Sequence, residues 1–220
     1  MKILRINVIK SIIFNFKMLP FKDAIKFPIL LSYGIKIDGV KRGDILIDGP
    51  IHFGLITFGL SGSKDMFRYE SKKSYLGIKS GRIYFKGKAR IASHFHILVR
   101  GGELTVGNNF SCNNSCSLSC IDKISFGDNV LLGGHVVIRD SDGHEIYNIT
   151  TYETKTTHEP IKIGSHVWIC NKVDILKGVT IGDDSVVAYR SFCVNEIKEN
   201  NVLVGGMPAK VIKRGINWHI

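Results

Sequence analysis

The sequence has 220 residues, of which 44% are apolar and 22% charged, so it is neither a disordered tail nor a bundle of membrane-spanning helices. Its 23 glycines follow no Gly-X-Y period, which excludes collagen and predicts many tight turns. A formal net charge of +11 predicts an anionic partner, either a phosphorylated cofactor, a nucleic acid or a membrane surface.

The N-terminal arm, residues 1–35, shows no short repeat and mixes aliphatic residues, phenylalanines and lysines. Lys10 and Lys17 interrupt its apolar residues and no small-residue cleavage site follows. We therefore expect no signal peptide and a cytoplasmic protein with free thiols. Two interpretations of the arm stay open. It is either a helix and an extended segment that cover the next domain, or a basic amphipathic segment that contacts the inner membrane peripherally.

Residues 36–198 are predicted to form one repeat domain, because apolar residues recur every six positions. The period is loose before about residue 97 and clear afterwards. In the last tract all six first positions are apolar: Ile163, Ile169, Ile175, Ile181, Val187 and Cys193. Three six-residue faces close one triangular coil, and successive coils stack as parallel strands. The repeated aliphatic side chains then share one interior.

An earlier tract carries cysteines every four residues, at Cys112, Cys116 and Cys120. Such a cluster could bind a metal ion, whereas small residues at repeat positions would simply be buried. Because no Cys-x-x-Cys pair or nearby histidine supports ligation, we expect burial and no metal.

The period breaks once, at residues 143–160, where a polar insert carries threonines, charges and two histidines. Inserts of this length cost little loop entropy and tend to lie over functional surfaces. The basic C-terminal segment, residues 199–220, contains VLVGGMPAKVIKRG. This pattern predicts a strand followed by a short basic helix that closes the end of the repeat domain.

The hexads, the GH pair of DSDGHEI, the stretch IGSHVWICNKVDILKGVTIGDDSVV and the tail motif GMPAKVI together resemble the hexapeptide-repeat acyltransferases. The resemblance is strongest to their maltose, galactoside and polysaccharide O-acetyltransferase group. It covers residues 97–215 well and 36–96 loosely. It implies an all-β fold, a left-handed parallel β-helix with a protruding loop, and a homotrimer with active sites between subunits.

The resemblance also implies an activity and a set of site residues. The activity is coenzyme A-dependent O-acyl transfer, with acetyl-CoA as co-substrate and a sugar hydroxyl on a saccharide or glycan precursor as acceptor. The family's general base corresponds to His144, and its acceptor-facing asparagine to Asn113. Trp168 borders the acyl-donor cleft, and we assign it to substrate binding with Asn113. Cofactor contacts are expected at Asn171, Ala188, Ser191, Gly206, Lys210 and Lys213.

The chemistry of a thioester explains why these residue types suffice. A thioester is already activated, so transfer needs no metal, only removal of the acceptor hydroxyl proton by a neutral imidazole. Asp142 is our candidate to orient His144, with Asp140, Glu145 or a backbone carbonyl as alternatives. A backbone N–H of the coil at 168–171 would stabilise the oxyanion. Lys210, Lys213 and Arg214 either pair with the phosphates of coenzyme A or form a solvated tail.

Other functions remain as alternatives. One is N-acetylation of an amino or nucleotide sugar, although no Gly-x-Gly-x-x-Gly follows a strand to mark a nucleotide-binding domain. Another is a zinc-dependent hydratase on the same fold, which needs three histidines that converge across a subunit boundary. A third is a scaffold without catalysis. Nucleic acid is not an expected partner, because the basic residues are dispersed and no recognised binding module is present.

Overall fold

The computed structural model describes residues 5–60 and 73–219, which form a parallel β-helix with three flat sheets. Two helices come first, α1 (Val8–Met18) and α2 (Phe21–Ala24). Seven coils follow. The first four are β1 (Ile29–Leu31), β2 (Ile35–Asp38), β3 (Ile45–Ile47); β4 (Ile56–Phe58), β5 (Ser74–Lys79), β6 (Arg82–Phe85); β7 (Ala89–Ile91), β8 (His96–Arg100), β9 (Glu103–Val106); and β10 (Phe110–Cys112), β11 (Ser117–Cys120), β12 (Lys123–Phe126).

Most strands of the remaining coils have only two residues. The strands are β13 (Leu131–Leu132), β14 (Val137–Arg139), β15 (Ile161–Ile163); β16 (Trp168–Ile169), β17 (Asp174–Ile175), β18 (Thr180–Ile181); and β19 (Val186–Val187), β20 (Phe192–Cys193). A hairpin of β21 (Val202–Gly206) and β22 (Ala209–Arg214) ends the stack. The first, second and third strands of each coil form the first, second and third sheets, and the hairpin extends the first.

The interior is a ladder of side chains from equivalent positions of successive coils. Leu118, Ile138 and Ile175 are in register on β11, β14 and β17, and each is at most 2% exposed. The six first-position residues of the last tract are likewise buried, as the hexads predict. The three repeating cysteines lie in the same core as free thiols. Stacking buries the apolar face that a single coil would leave exposed to water.

Helix α1 covers the open edge of β1 at the start of the stack. Asn7 begins the helix by accepting a hydrogen bond from the backbone N–H of Lys10 at 3.0 Å. The Asn15 side chain then pairs with both backbone groups of Ile29, at 2.7 and 3.1 Å, and Ser11 accepts the N–H of Leu31 at 2.9 Å. These side chains satisfy the strand edge as another strand would.

Because Asn15 is fully buried, we expect Asn15→Ala to lower the free energy of unfolding by about 2 kcal/mol, by leaving the Ile29 groups unpaired. Ile12→Ala, on the exposed side of α1, should change it by less than about 0.5 kcal/mol. Urea unfolding of both variants measures the difference. Equal effects would mean that these hydrogen bonds do not hold the helix to β1.

The predicted C-terminal basic helix is wrong. Residues 209–214 form β22, which pairs antiparallel with β21, and β21 in turn lies parallel to β19. Val202 and Val204 are buried, so β21 has a firm place in the sheet and offers its free edge to the returning chain. The charged residues of β22 then occupy an edge, where they oppose further strand pairing.

The insert leaves the stack between β14 and β15, at the corner where the second sheet meets the third. Antiparallel bridges join Ser141 to His158 and Tyr147 to Thr154, so the insert doubles back on itself. Among the described residues, no helix has the length and hydropathy needed to cross a membrane.

Candidate active site

A buried carboxylate, that of Asp140, lies three residues before the insert. Asp140 has no exposed surface, and its oxygens accept hydrogen bonds from the backbone N–H groups of Ile121, at 2.8 and 3.1 Å, and of Asp122, at 2.8 Å. A buried ionisable side chain is stable only with such partners. The residues that follow Asp140 therefore leave the β-helix from a fixed point.

His144 lies four residues beyond Asp140, on the exposed part of the insert. Gly143 precedes it with a φ of +85°, a left-handed conformation that favours glycine, and His144 itself is exposed. The imidazole is therefore open to a substrate or to a second copy of the chain.

Asp142, the candidate for orienting His144, directs its carboxylate to Lys177, with Oδ2 2.7 Å from Nζ. Lys177 also donates to the carbonyl of Thr156, so this one lysine ties both ends of the insert to the sixth coil. The role of Asp142 towards the imidazole stays a prediction. Sequence reasoning missed Lys177, because only the fold brings residues 142, 156 and 177 together.

Three predicted site residues, Asn113, Asn171 and Ala188, lie at the corner between the first and second sheets. Equivalent positions of successive coils at this corner are held by Asn113, Gly133, Cys170 and Ala188. Each of these four donates its backbone N–H to a carbonyl of the following coil or hairpin. Asn171, one residue further along, accepts the N–H of Gly134 at 2.8 Å through its side chain. Side chains at this corner are packed tightly, since a Cβ at Gly133 would lie 2.4 Å from Oδ1 of Asn171.

The same corner carries a column of residues in the left-handed conformation. They are His94, Ser115, His135, Lys172 and Arg190, with φ of 57–64°. His94 therefore occupies a turn. His96 begins β8 and stacks on Tyr75, with the two ring centroids 4.8 Å apart. In the part of the chain that the structure describes, no group of three or more His, Cys, Asp or Glu side chains is placed to hold a metal ion.

Ser191, an expected cofactor contact, ends the turn that begins at Ala188. It is 1% exposed, and its hydroxyl donates to the carbonyl of Ala188 at 2.7 Å. Tyr189, which the turn projects outward, is 55% exposed and lies 5.9 Å from the cations of both Lys172 and Arg190. The turn thus presents an aromatic ring and two positive charges to solvent.

The remaining cofactor candidates lie on the C-terminal hairpin, next to Ala188. Gly206, Lys210 and Lys213 are exposed, and a Cβ at Gly205 would lie 3.2 Å from that of Ala188. Arg214 instead pairs with Glu199 at 2.6 and 3.0 Å and holds the pKa of that carboxyl below its usual value. Lys210 and Lys213 are therefore better placed than Arg214 to meet an anionic ligand.

Trp168 lies on the outer face of the first sheet, in an aromatic cluster that sequence reasoning missed. Trp218 stacks on His166, with ring centroids 4.6 Å apart, and lies 5.9 Å from Trp168. Its Nε1 donates to the carbonyl of His166 at 2.8 Å. Asp184 pairs with Nδ1 of His166 at 2.8 Å. Through Trp218, the C-terminal tail thereby covers one side of the Trp168 ring.

Two of the backbone groups proposed as oxyanion donors are already engaged. The N–H groups of Trp168 and Cys170 donate to the carbonyls of Ser185 and Val187 in the next coil. The oxyanion donor of this coil therefore stays a prediction and is neither of these two N–H groups.

Comparison with known proteins finds sequences and structures similar to this chain. No family model matches the sequence. The chain is 34% identical over 113 residues to the galactoside O-acetyltransferase of Escherichia coli (strain K12), which is 51% of this chain and 55% of that protein. The chain spans about half the length of the curated relatives it matches.

Two solved structures have the same fold. The polySia-specific acetyltransferase NeuO superposes with a TM-score of 0.65 at 19% identity, over 87% of this chain and 73% of that one. The polysialic acid O-acetyltransferase OatWY gives 0.55 at 23% identity, over 87% of each chain. The resemblance to the hexapeptide-repeat acyltransferases that the sequence motifs indicate is confirmed. The predicted left-handed parallel β-helix is confirmed as well.

Proposed function

We propose that the protein is a coenzyme A-dependent O-acyltransferase that moves the acetyl group of acetyl-CoA to a sugar hydroxyl on a saccharide or glycan precursor. The observation that carries the proposal is the exposed His144 on an insert anchored at its base by Asp140 and Lys177. The named galactoside and polysialic acid O-acetyltransferases among similar proteins support a glycan acceptor. A supply of acetyl-CoA agrees with the predicted cytoplasmic location.

In this mechanism the neutral imidazole of His144 removes the proton of the acceptor hydroxyl as its oxygen attacks the thioester carbonyl. The tetrahedral intermediate then collapses, the carbon–sulfur bond breaks, and the imidazolium returns the proton to the departing thiolate of coenzyme A. The products are an acetyl ester and free coenzyme A. Asn113 would hold the acceptor, and Trp168 would border the donor cleft.

We further propose a homotrimer in which each site lies between two copies. Asn113 lies where the strands of the second sheet begin, and the insert lies where they end. An insert that reaches a neighbouring copy would therefore bring His144 to that copy's Asn113. The insert also exposes Ile146, Tyr147, Ile149 and Tyr152 by 55–81%. Exposed apolar side chains on a protruding loop are typical of contacts between subunits.

The donor would lie along the first sheet, with its pantetheine arm at Ala188, Ser191 and Asn171 and its phosphates towards Gly206, Lys210 and Lys213. We expect Lys210→Glu/Lys213→Glu to raise KM for acetyl-CoA roughly ten-fold while kcat stays within about two-fold, since only ground-state binding of the phosphates is lost. The exposed Lys86→Glu/Lys162→Glu pair is the charge-matched control. Equal changes in KM would indicate general attraction by net charge.

The activity itself is tested by measuring free coenzyme A released from acetyl-CoA over a panel of neutral sugars, sialic acid polymers and amino sugars. We expect release with at least one hydroxyl acceptor and none that depends on added zinc. Transfer to an amino group alone would favour N-acetylation, and zinc in the purified protein together with hydratase activity would favour the hydratase. Calorimetry that detects no binding of coenzyme A would contradict all transferase versions.

A further inference from the structure

Helix α1 is apolar on both sides, because its inner side also packs Phe14 and Met18 into the core. Its polar residues Ser11 and Asn15 are 3% and 0% exposed and bond to β1, as described above. Its opposite side carries an apolar stripe, with 36–73% exposure, at Ile9, Ile12, Ile13 and Phe16. A surface helix normally turns its apolar side inward and its polar side to water. Packing among the described residues therefore does not account for the stripe.

The position of α1 makes the stripe an end surface of the molecule. Hydrogen bonds between coils run along the axis of the β-helix, and α1 bonds to the edge of β1 that no other coil occupies. The helix thus lies beneath the first coil, and its other side points away from the stack.

The apolar surface continues beyond α1. Phe21, on α2, is 71% exposed and its ring lies 5.9 Å from that of Phe16, and Ile25 is 49% exposed. We call Ile9, Ile12, Ile13, Phe16, Phe21 and Ile25 the basal patch. An open groove of about 480 Å³ runs beside it, lined by apolar side chains together with Lys10, Lys17 and Lys41. Contiguous apolar surface of this kind marks a binding surface.

The surroundings of the basal patch are strongly positive. Residues 5–42 contain eight lysines and arginines and two aspartates. One of these, Asp38, is already paired with Lys79 at 3.2 Å. Two copies that met through this patch would bring the same positive charges together, which opposes association. An anionic surface would instead gain attraction from the lysines and apolar burial from the stripe.

We propose that the basal patch binds the surface of an anionic phospholipid bilayer. The apolar side chains enter the boundary between headgroups and acyl chains, and Lys17, Lys22 and Lys26 extend to the lipid phosphates. The protein lies on the bilayer through its first coil and does not span it. This proposal does not depend on acyl transfer, because vesicle binding is measured without either substrate.

Vesicle flotation of the intact protein tests the charge contribution. We expect the protein to float with vesicles of equal parts phosphatidylglycerol and phosphatidylcholine, and not with phosphatidylcholine alone. Lys22→Gln/Lys26→Gln should weaken binding about 25-fold, since each lysine near an anionic surface contributes roughly five-fold. The control Lys86→Gln/Lys162→Gln, on coils two and five, should stay within about two-fold. Equal losses from both pairs would overturn the proposal in favour of general charge attraction.

A second variant tests the apolar contribution. Ile9→Ser/Phe21→Ser removes two side chains that are 73% and 71% exposed, so the fold should persist, and its thermal unfolding checks this. We expect more than ten-fold weaker binding to the same anionic vesicles, with an unchanged oligomeric mass in solution. Unchanged vesicle binding would overturn the proposal, as would a wild-type protein that does not float. A changed oligomeric mass with unchanged vesicle binding would assign the patch to a contact between copies.

Discussion

Replacing His144 by alanine should lower kcat for acetyl transfer by roughly 10²–10⁴-fold, the range that a general base contributes. The exposed imidazole belongs to the insert, whereas the residues proposed to hold the donor lie on the C-terminal hairpin and the corner beside it. KM for acetyl-CoA should therefore change by less than about three-fold. Release of free coenzyme A at a saturating acceptor concentration measures kcat.

His158 supplies the matched control, because it is a second exposed histidine in the same insert. Its Nδ1 lies 3.1 Å from the hydroxyl of Thr157. The His158→Ala enzyme should keep kcat within about two-fold of wild type. If both variants lost activity equally, the effect would come from disturbance of the insert. Full activity without His144 would remove it from the reaction.

Asp140→Ala should be the most destabilising single change in the candidate site, lowering the free energy of unfolding by about 3 kcal/mol. The substitution removes a fully buried carboxylate and leaves the N–H groups of Ile121 and Asp122 without their acceptor. Because the insert begins three residues after Asp140, kcat should fall as well. Urea unfolding and the coenzyme A release assay measure the two effects.

Asp128→Ala is the corresponding control at an exposed corner. The Asp128 carboxylate accepts one backbone hydrogen bond, from Asn108 at 2.7 Å, and water can replace it there. Its loss should cost less than about 1 kcal/mol and leave kcat unchanged. Similar losses of stability in the two variants would mean that burial does not increase the contribution of the Asp140 hydrogen bonds to the free energy of unfolding.

The sequence predicts the stacked coils of the β-helix well, because each coil carries its own copy of the signal. Ile163, Ile169 and Ile175 each mark one face of a coil, and burial of all three follows from the period alone. The same locality explains why the insert could be recognised, since it interrupts a regular pattern. The resemblance that assigned roles to His144 and Asn113 depends on the same contiguous motifs.

Features that depend on distant partners could not be predicted in this way. Residues 209–214 form a strand because β21 offers an open edge, and nothing local distinguishes that outcome from a basic helix. The ion pair of Asp142 with Lys177 joins residues in different coils. The burial of Asn15 reverses what its polarity suggests, because the edge of β1 needs hydrogen-bond partners.

Subunit mixing tests the central claim most directly, namely that His144 of one copy acts beside Asn113 of the next. Refolding His144→Ala chains with Asn113→Ala chains in equal amounts should restore activity to about one quarter of wild type, since about one interface in four then has both intact residues. Each variant alone should remain nearly inactive. Mixed oligomers, verified by mass, that stay as inactive as their parents would contradict a site shared between copies.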